Sequence, residues 1–494
     1  MSEKKKQDWS RVPGRIWAFI YFLGFCIFSG VVIRANVLPG KYLYPILTVS
    51  GIISILLLMM LCSRKLKRGW KITAFVLSFL MAGIAGYAGV HLGETASFLG
   101  KITRAETVQY EKYYVLTGKN SALKTKDDLT NGTVSVFVGK DEGYRRAESH
   151  LKKCASVKFL RGTNLSGMAL TMSEQPRGSM LVSTAHYQAL KVQIPEWKEK
   201  LRVLTVLQVK KDVKDLSKNV DVKEHSFNVY LSGLDTSGSI NTQSRSDVNM
   251  IITVNPKTHQ LLLTSIPRDY QIRLTEKDNA ADKLTHTGIY GIQQTLESAE
   301  DLTGLDMNYY VKVNYSTVRR FIDAIGGIDV DSDYAFSTSG QAYHEFRKGH
   351  NHLNGDQALA FARERHAFED GDLQRNRDQE KIMTAILEKA AGSTAILKHY
   401  SEILSACGDY LETSMSRDEI SDLVKMQLDG GYHWTIHRQS MSGESTMAGV
   451  YSMGNQKVYV MIPDQENVKA CVAQIRRVAG GKDFTGAETD KKKK

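Results

Sequence analysis

Three uncharged apolar runs crowd the first 93 residues of this 494-residue chain. Ile16–Ile33 has 18 residues, Leu43–Cys62 has 20, and Ile72–Gly93 has 22, with only His91 as a weakly basic member. A bilayer core of about 30 Å takes roughly 20 residues of helix, so each run reads as a membrane span. A cleaved signal peptide would be one shorter run with a small-residue cleavage site. Three such runs so close together are poor buried core helices. Pro45 falls in the first turn of the second run, where a missing N–H is tolerated.

Charge gives the expected orientation. Residues 1–93 hold 12 Lys/Arg and two acids, a net of +10, while the other 401 residues carry 53 basic and 51 acidic side chains, a net of +2. Five of those basic residues lie in 1–15 and five between Ser63 and Lys71, against only Arg34 and Lys41 in the loop between the first two runs. The lysine and arginine bias places the two rich segments in the cytoplasm, and three spans then put everything after about residue 93 outside. The nearly neutral remainder lacks the basic surface of a nucleic-acid binder, and no cytoplasmic segment is long enough for a helix-turn-helix. Three cysteines lie in the outer part, Cys154, Cys407 and Cys471, and no functional disulfide is expected. No Cys/His cluster has zinc spacing.

Four regions follow: the anchor, 1–93; a stalk and small α/β accessory domain, 94–215; a larger α/β domain, 216–481; and a basic tail, 482–494. Residues 94–112 read as a helical stalk and 210–224 as a linker. In the large domain apolar, β-branched runs predict strands at Phe227–Leu231, Val248–Val254, Gln260–Ile266, Tyr309–Val313, Ala358–Ala362 and Val458–Ile462. Helical periodicity marks Ile289–Leu302, Tyr315–Ile325, Leu373–Ala390 and Glu466–Val478. The alternation implies helices layered on a mixed central sheet.

Polar residues collect where those strands end. Asp235 follows FNVYLSGL, Arg245 and Asp247 open RSDVNMIITV, and Arg268 and Asp269 end LLLTSIPRD. In ALAFARERH, Arg363 and Arg365 are two apart and would share one face of an extended segment. Asp372 suits a helix N-cap, and Arg375 and Gln379 share one helical face; Arg377 points elsewhere. Guanidinium forks match phosphate oxygens, and several converging arginines suit a pyrophosphate. Aspartates at the same place would repel it unless a cation lies between. Asp235 and Asp247 therefore read as ligands for a hard ion, Mg²⁺, with Mn²⁺ as the alternative.

The runs LSGLDTSGSINTQSRSDVNMIITVNP, LLLTSIPRDY and LNGDQALAFARERHAFEDGDLQRNRDQEKI resemble the LytR-CpsA-Psr family. The three-span anchor and the extra domain resemble its streptococcal, capsule-associated CpsA type. The resemblance implies an extracellular, Mg²⁺-dependent transferase that moves capsular polysaccharide, or a related wall polymer, from a polyprenyl-pyrophosphate carrier to peptidoglycan. It implies Asp235 and Asp247 as metal ligands. Arg245, Arg268, Arg363, Arg365, Arg375 and Gln379 correspond to the pyrophosphate site. Arg268, Arg363, Arg365 and Asp372 are the catalytic candidates, with Asp247 or Asp372 as the general base. Other readings remain: a hydrolase on the same lipid, a polysaccharide scaffold, or a non-enzymatic membrane regulator acting through capsule-synthesis membrane proteins. No nucleic-acid partner is expected.

Overall fold

The structure is a computed structural model that describes residues 11–36, 39–63, 65–103, 108–137, 141–212, 216–240, 243–339, 343–369, 371–392, 403 and 410–486. Helices α1 (Arg11–Ala35), α2 (Gly40–Cys62) and α3 (Arg68–Ile102) pack together, and each contains a stretch long and apolar enough to cross a membrane. Phe19, Ile52, Phe79 and Ile84 stand exposed on their outer surfaces, which suits lipid and not water. Between the helices, polar atoms pair: Trp17 Nε1 donates to Ser78 Oγ at 2.8 Å, and the hydroxyls of Tyr21 and Ser54 lie 2.8 Å apart. The expected stalk is only half helical. α3 runs to Ile102, and from Val108 the chain is already strand β1 (Val108–Gly118), because Tyr113 and Val115 alternate into a buried core.

The accessory domain is a five-stranded sheet, ordered β3-β2-β4-β1-β5, with β2 (Thr133–Phe137), β3 (Lys158–Gly162), β4 (Ser179–Ser183) and β5 (Leu201–Asp212). The β3-β2-β4 part is parallel, and β1 pairs antiparallel with β4 and β5. Helices α4 (Glu142–Cys154), α5 (Leu165–Ser173) and α6 (Thr184–Gln193) and the single turn α7 (Trp197–Lys200) pack around it. Because β5 stays paired with β1 through Asp212, the expected linker over 210–224 starts inside the sheet.

The large domain centres on six strands ordered β16-β11-β6-β7-β8-β17. These are β6 (Phe227–Leu234), β7 (Ser246–Asn255), β8 (Gln260–Ser265), β11 (Tyr309–Asn314), β16 (Glu412–Thr413) and β17 (Thr435–Ser440). The β11–β6 and β8–β17 pairs are parallel and the others antiparallel, so the sheet is mixed. On one face lie α8 (Leu284–Tyr290), α9 (Ile292–Thr303) and α14 (Gln465–Ala479). The other face carries α10 (Tyr315–Ala324), α11 (Gly355–Arg363), α12 (Asp372–Gly392) and α13 (Arg417–Gly430). Two-stranded pairs decorate it: β9 (Gln271–Leu274) with β10 (Ala280–Lys283), β12 (Ile328–Ser332) with β15 (Gly349–Leu353), β13 (Phe336–Ser337) with β14 (Glu345–Phe346), and β18 (Gly443–Gly449) with β19 (Lys457–Pro463). Two expectations need correcting. Ala358–Ala362 is not a strand but the body of α11, started by a reciprocal cap between Asn354 and Gln357. The single helix expected over Ile289–Leu302 is broken at Gly291, whose φ of 103° ends α8 and starts α9.

The accessory and large domains share one apolar core, in which Leu116, Phe137 and Leu190 of the first meet Tyr290 and Tyr451 of the second. Beside it lies a buried charge cluster. Lys277 Nζ, with its side chain 4% exposed, reaches Asp141 at 3.1 Å and Glu111 at 3.3 Å. Tyr451 donates to the same Asp141 at 3.1 Å. His186 spans the junction: its Nε2 lies 2.9 Å from the Tyr451 carbonyl and so carries the proton, leaving Nδ1 to accept from the Tyr144 hydroxyl at 2.7 Å. Burial pushes the His186 imidazole down to about 4, so it stays neutral at physiological pH. Burial also works against the charge on Lys277, but Glu111 and Asp141 outweigh it and hold the ammonium above its ordinary value. Replacing Lys277 by Ala strands two buried carboxylates. That costs on the order of 3–5 kcal/mol, and a thermal melt of the purified full chain in detergent should show a fall of several degrees.

Candidate functional site

The mixed sheet brings its strand ends to one edge. At the end of β6 the Asp235 amide donates to the Arg245 carbonyl at 2.8 Å, closing the connection to β7 and placing both side chains together. Thr285 binds back to the Arg268 carbonyl at 2.8 Å and fixes the turn after β8. Here a cavity of about 350 Å³ opens between the sheet and α10, α11 and α12. One end is apolar, formed by Leu231, Val313, Val318, Ile382, Met383 and Ile386. The other end holds Asp235, Arg245, Asp247, Arg268, Arg363, Arg365, Arg375 and Gln379. Five guanidiniums against two carboxylates leave a net charge of +3 on that wall.

Asp372 and Asp269 are the exceptions among the residues singled out from the sequence. Asp372 is the first residue of α12, and the Arg375 amide bonds to the Gly371 carbonyl at 3.1 Å. Gly371, with φ of 40°, therefore occupies the cap position expected of Asp372, and the Asp372 side chain lies outside the described residues. Arg363 and Arg365 also differ from expectation. They do not share an extended strand. Arg363 is the last residue of α11, and the chain straightens at Glu364 before Arg365. Both side chains still line the cavity. Asp269 turns away and binds Lys283 at 2.8 Å. Cys471 is buried as a free thiol and Cys154 is an exposed one, while Cys407 lies outside the described residues.

Each aspartate holds an arginine. Arg245 Nη2 donates to Asp235 Oδ2 at 2.9 Å, and Arg268 Nη1 to Asp247 Oδ2 at 2.8 Å. Three further residues, not anticipated from the sequence, complete the arrangement. The Tyr315 hydroxyl donates to Asp235 Oδ1 at 2.8 Å while its ring lies under the Arg363 guanidinium, 4.3 Å from the ring centre. Thr285 donates to Asp247 Oδ1 at 2.8 Å. Glu364, 4% exposed, accepts the backbone amides of Ser339, Arg365, His366 and Ala367 at 2.7–3.1 Å. Tyr315 directly follows strand β11, so the strand-end rule that found Asp235 would have found it too. Burial pushes the Asp235 carboxyl up, but the hydrogen bonds from Tyr315 and Arg245 and the charges of Arg245 and Arg363 prevail and lower it. For the Tyr315 hydroxyl, burial and the adjacent Asp235 act together and raise it.

The sequence profile described as the LytR_cpsA_psr family matches residues 201–476. The chain belongs to the LytR-CpsA-Psr family. The matched stretch begins in β5 and covers the large domain through most of α14. Similar proteins include the polyisoprenyl-teichoic acid–peptidoglycan teichoic acid transferase TagU of Bacillus mycoides, 35% identical over 204 residues, or 41% of this chain and 65% of that protein. The TagU of Bacillus anthracis is 35% identical over 208 residues, 42% of this chain and 66% of that protein. This chain thus spans just under two thirds of those relatives' length. Among solved structures, B. subtilis TagV is similar at 25% identity, with 53% of this chain and 99% of that one covered and a TM-score of 0.44.

As the LytR-CpsA-Psr domain presents it, Glu364 is a positioning residue that shapes the Arg365 turn. Burial raises its carboxyl, but the four amides, Ser339 first, bring it below its ordinary value near 4.5. Its hold is complete above that value and is lost as pH falls through the lowered one. Glu364→Ala should release the turn at any pH, at a local cost of about 1.5–3 kcal/mol, read as faster hydrogen exchange at amides 365–367.

Proposed function

We propose that this family member is a membrane-anchored transferase that moves a glycopolymer from a polyprenyl-pyrophosphate carrier to peptidoglycan outside the membrane, with capsular polysaccharide or a related wall polymer as cargo. The observation that carries this reading is the two-ended cavity: an apolar slot that runs into five arginines. An isoprenoid tail fits the slot and a pyrophosphate fits the guanidiniums. The three apolar helices and the names of the TagU relatives support it, as does the loop bias of lysine and arginine.

The donor pyrophosphate competes with Asp235 and Asp247 for Arg245 and Arg268, and Arg363, Arg365 and Arg375 take the remaining oxygens. An acceptor sugar hydroxyl attacks the sugar-bearing phosphorus. The new O–P bond forms, the bridging O–P bond breaks, and polyprenyl phosphate leaves with the electron pair. The hydroxyl proton passes to a carboxylate, for which Asp247 in the cavity wall is the candidate. The arginines stabilise charge on the leaving oxygen. Attack at the anomeric carbon would use the same groups and expel the lipid pyrophosphate. No group of three or more His, Cys, Asp or Glu side chains positioned for a metal occurs among the described residues. Two carboxylates beside a phosphate pocket nonetheless match the donor set of Mg²⁺, which takes few protein ligands and shares phosphate oxygens. Asp235 and Asp247 would hold the ion, which when bound supplies charge neutralisation at the pyrophosphate.

Arg268→Ala and Arg365→Ala should each lower transfer from lipid-linked donor by about 10²-fold or more, with loss of co-purifying polyprenyl phosphate or pyrophosphate in a solvent extract analysed by mass spectrometry. Wild-type transfer by both variants would overturn the site. Release of free polymer in place of wall-bound polymer would favour hydrolysis.

A further inference from the structure

A second cavity, of about 420 Å³, lies on the opposite face of the six-stranded sheet, where the accessory domain meets the large one. Its walls come from β1 and α6 on one side and from β6, β11 and the α8–α9 junction on the other. The Lys277 cluster and the shared core hold those two sides together, so the cavity is built between fixed elements. Gly288 is part of this construction. A Cβ there would lie 2.5 Å from the Ser244 carbonyl oxygen, and its absence lets α8 approach the backbone of Ser244 to Ser246, where Arg245 leads into β7.

The two cavities share Leu234. The connection from β6 to β7 sends Asp235 and Arg245 into the first and Ser239 and Gln243 into the second. Their chemistry differs. The second cavity has no arginine, and its Lys312 and Glu412 neutralise each other at 3.1 Å. It is not an apolar slot either. Tyr110 is 54% exposed, and the Tyr114 ring is fixed by stacking on Tyr187 at 4.2 Å. Around these rings stand Lys112, Thr184, Gln188 and Gln243. Among the described residues the side chains of Lys112 and Gln188 make no hydrogen bond or ion pair, and both are exposed. Flat tyrosine faces edged by amide, hydroxyl and ammonium groups match sugar rings, which have an apolar C–H face and a hydroxyl rim.

The direction of attack selects which sugars. In a displacement the entering and leaving groups lie roughly in line. The lipid end of the donor occupies the apolar slot beyond the arginines, so the nucleophile enters from the opposite side, past Leu234. We propose that the second cavity binds the glycan strand of the acceptor and delivers its hydroxyl over the β6–β7 connection to the first. This rests on the transferase reading above and assigns the accessory domain one wall of the acceptor site.

The test uses the full chain in detergent micelles and soluble, uncross-linked peptidoglycan glycan fragments, titrated by calorimetry. Tyr110→Ala and Gln188→Ala should weaken fragment binding at least tenfold and leave donor-lipid binding unchanged, whereas Arg268→Ala should do the reverse. In transfer assays the first two should raise the acceptor KM with little change in kcat, the pattern of lost ground-state binding. Fragment binding that is unchanged in both Tyr110→Ala and Gln188→Ala overturns the proposal. So does a wild-type chain that binds donor lipid but no fragment, or a lipid-free donor polymer that takes the cavity in a Tyr110-dependent manner when the peptidoglycan fragment does not. If the transferase reading alone is wrong, donor binding and transfer fail while Tyr110-dependent fragment binding persists.

Discussion

Central strands covered on both faces leave charged side chains one place to go. β8 is buried along its whole length, and β6 nearly so. A charged side chain in the middle of either would sit in hydrocarbon at a cost of several kcal/mol. Chemistry is therefore displaced to the strand ends. Asp235 lies just past β6, Asp247 at the start of β7 and Arg268 just past β8. The antiparallel β6–β7 pairing then turns a separation of twelve residues in sequence into adjacency in space.

Electrostatics governs what that edge can hold. Five guanidiniums would repel one another in a half-enclosed cavity. Two are tied to aspartates, and a third lies on the face of Tyr315. The carboxylates are in turn committed by Tyr315 and Thr285. Three of the five guanidiniums are thus held in place by partners in the cavity wall, and the net +3 that the wall keeps suits an anion. Glu364 serves the same end through the backbone, since it holds the turn that carries Arg365 without entering the cavity.

The strand-end logic explains why so much of this was legible in the sequence. Apolar β-branched runs with charged termini marked four central strands correctly, and the same termini supplied four of the residues that line one cavity, Asp235, Arg245, Asp247 and Arg268, while Arg363, Arg365, Arg375 and Gln379 come from α11, the turn after it and α12. The failures have local causes. The run Ala358–Ala362 is short and apolar, and such runs fit a strand or a buried helix equally well. Its alanines favour helix, and the cap formed by Asn354 and Gln357 was the signal to weigh. β1 was hidden because it follows the third membrane helix so closely that one helical reading ran through both. Tyr315, Thr285 and Glu364 act through contacts made only in the folded chain. The whole accessory-domain junction, with Lys277 between Glu111 and Asp141 and with Tyr451 on the same aspartate, joins residues up to 310 positions apart and leaves no local pattern.

The length of α3 has a mechanical meaning. At 1.5 Å per residue its 35 residues extend about 52 Å, against about 30 Å of hydrocarbon, so on the order of 20 Å of helix projects beyond the bilayer core. The projecting end does not act as a free pole. α3 packs beside β16, and at the same end Lys41, in the first turn of α2, pairs with Asp429 of α13 at 3.2 Å. These contacts tie the large domain to the shaft, and where they fall sets the place of the arginine-lined mouth along it. One added or deleted helical turn between the apolar stretch and those contacts would shift that mouth along the helix axis by about 5.4 Å, with every side chain of the site left in place.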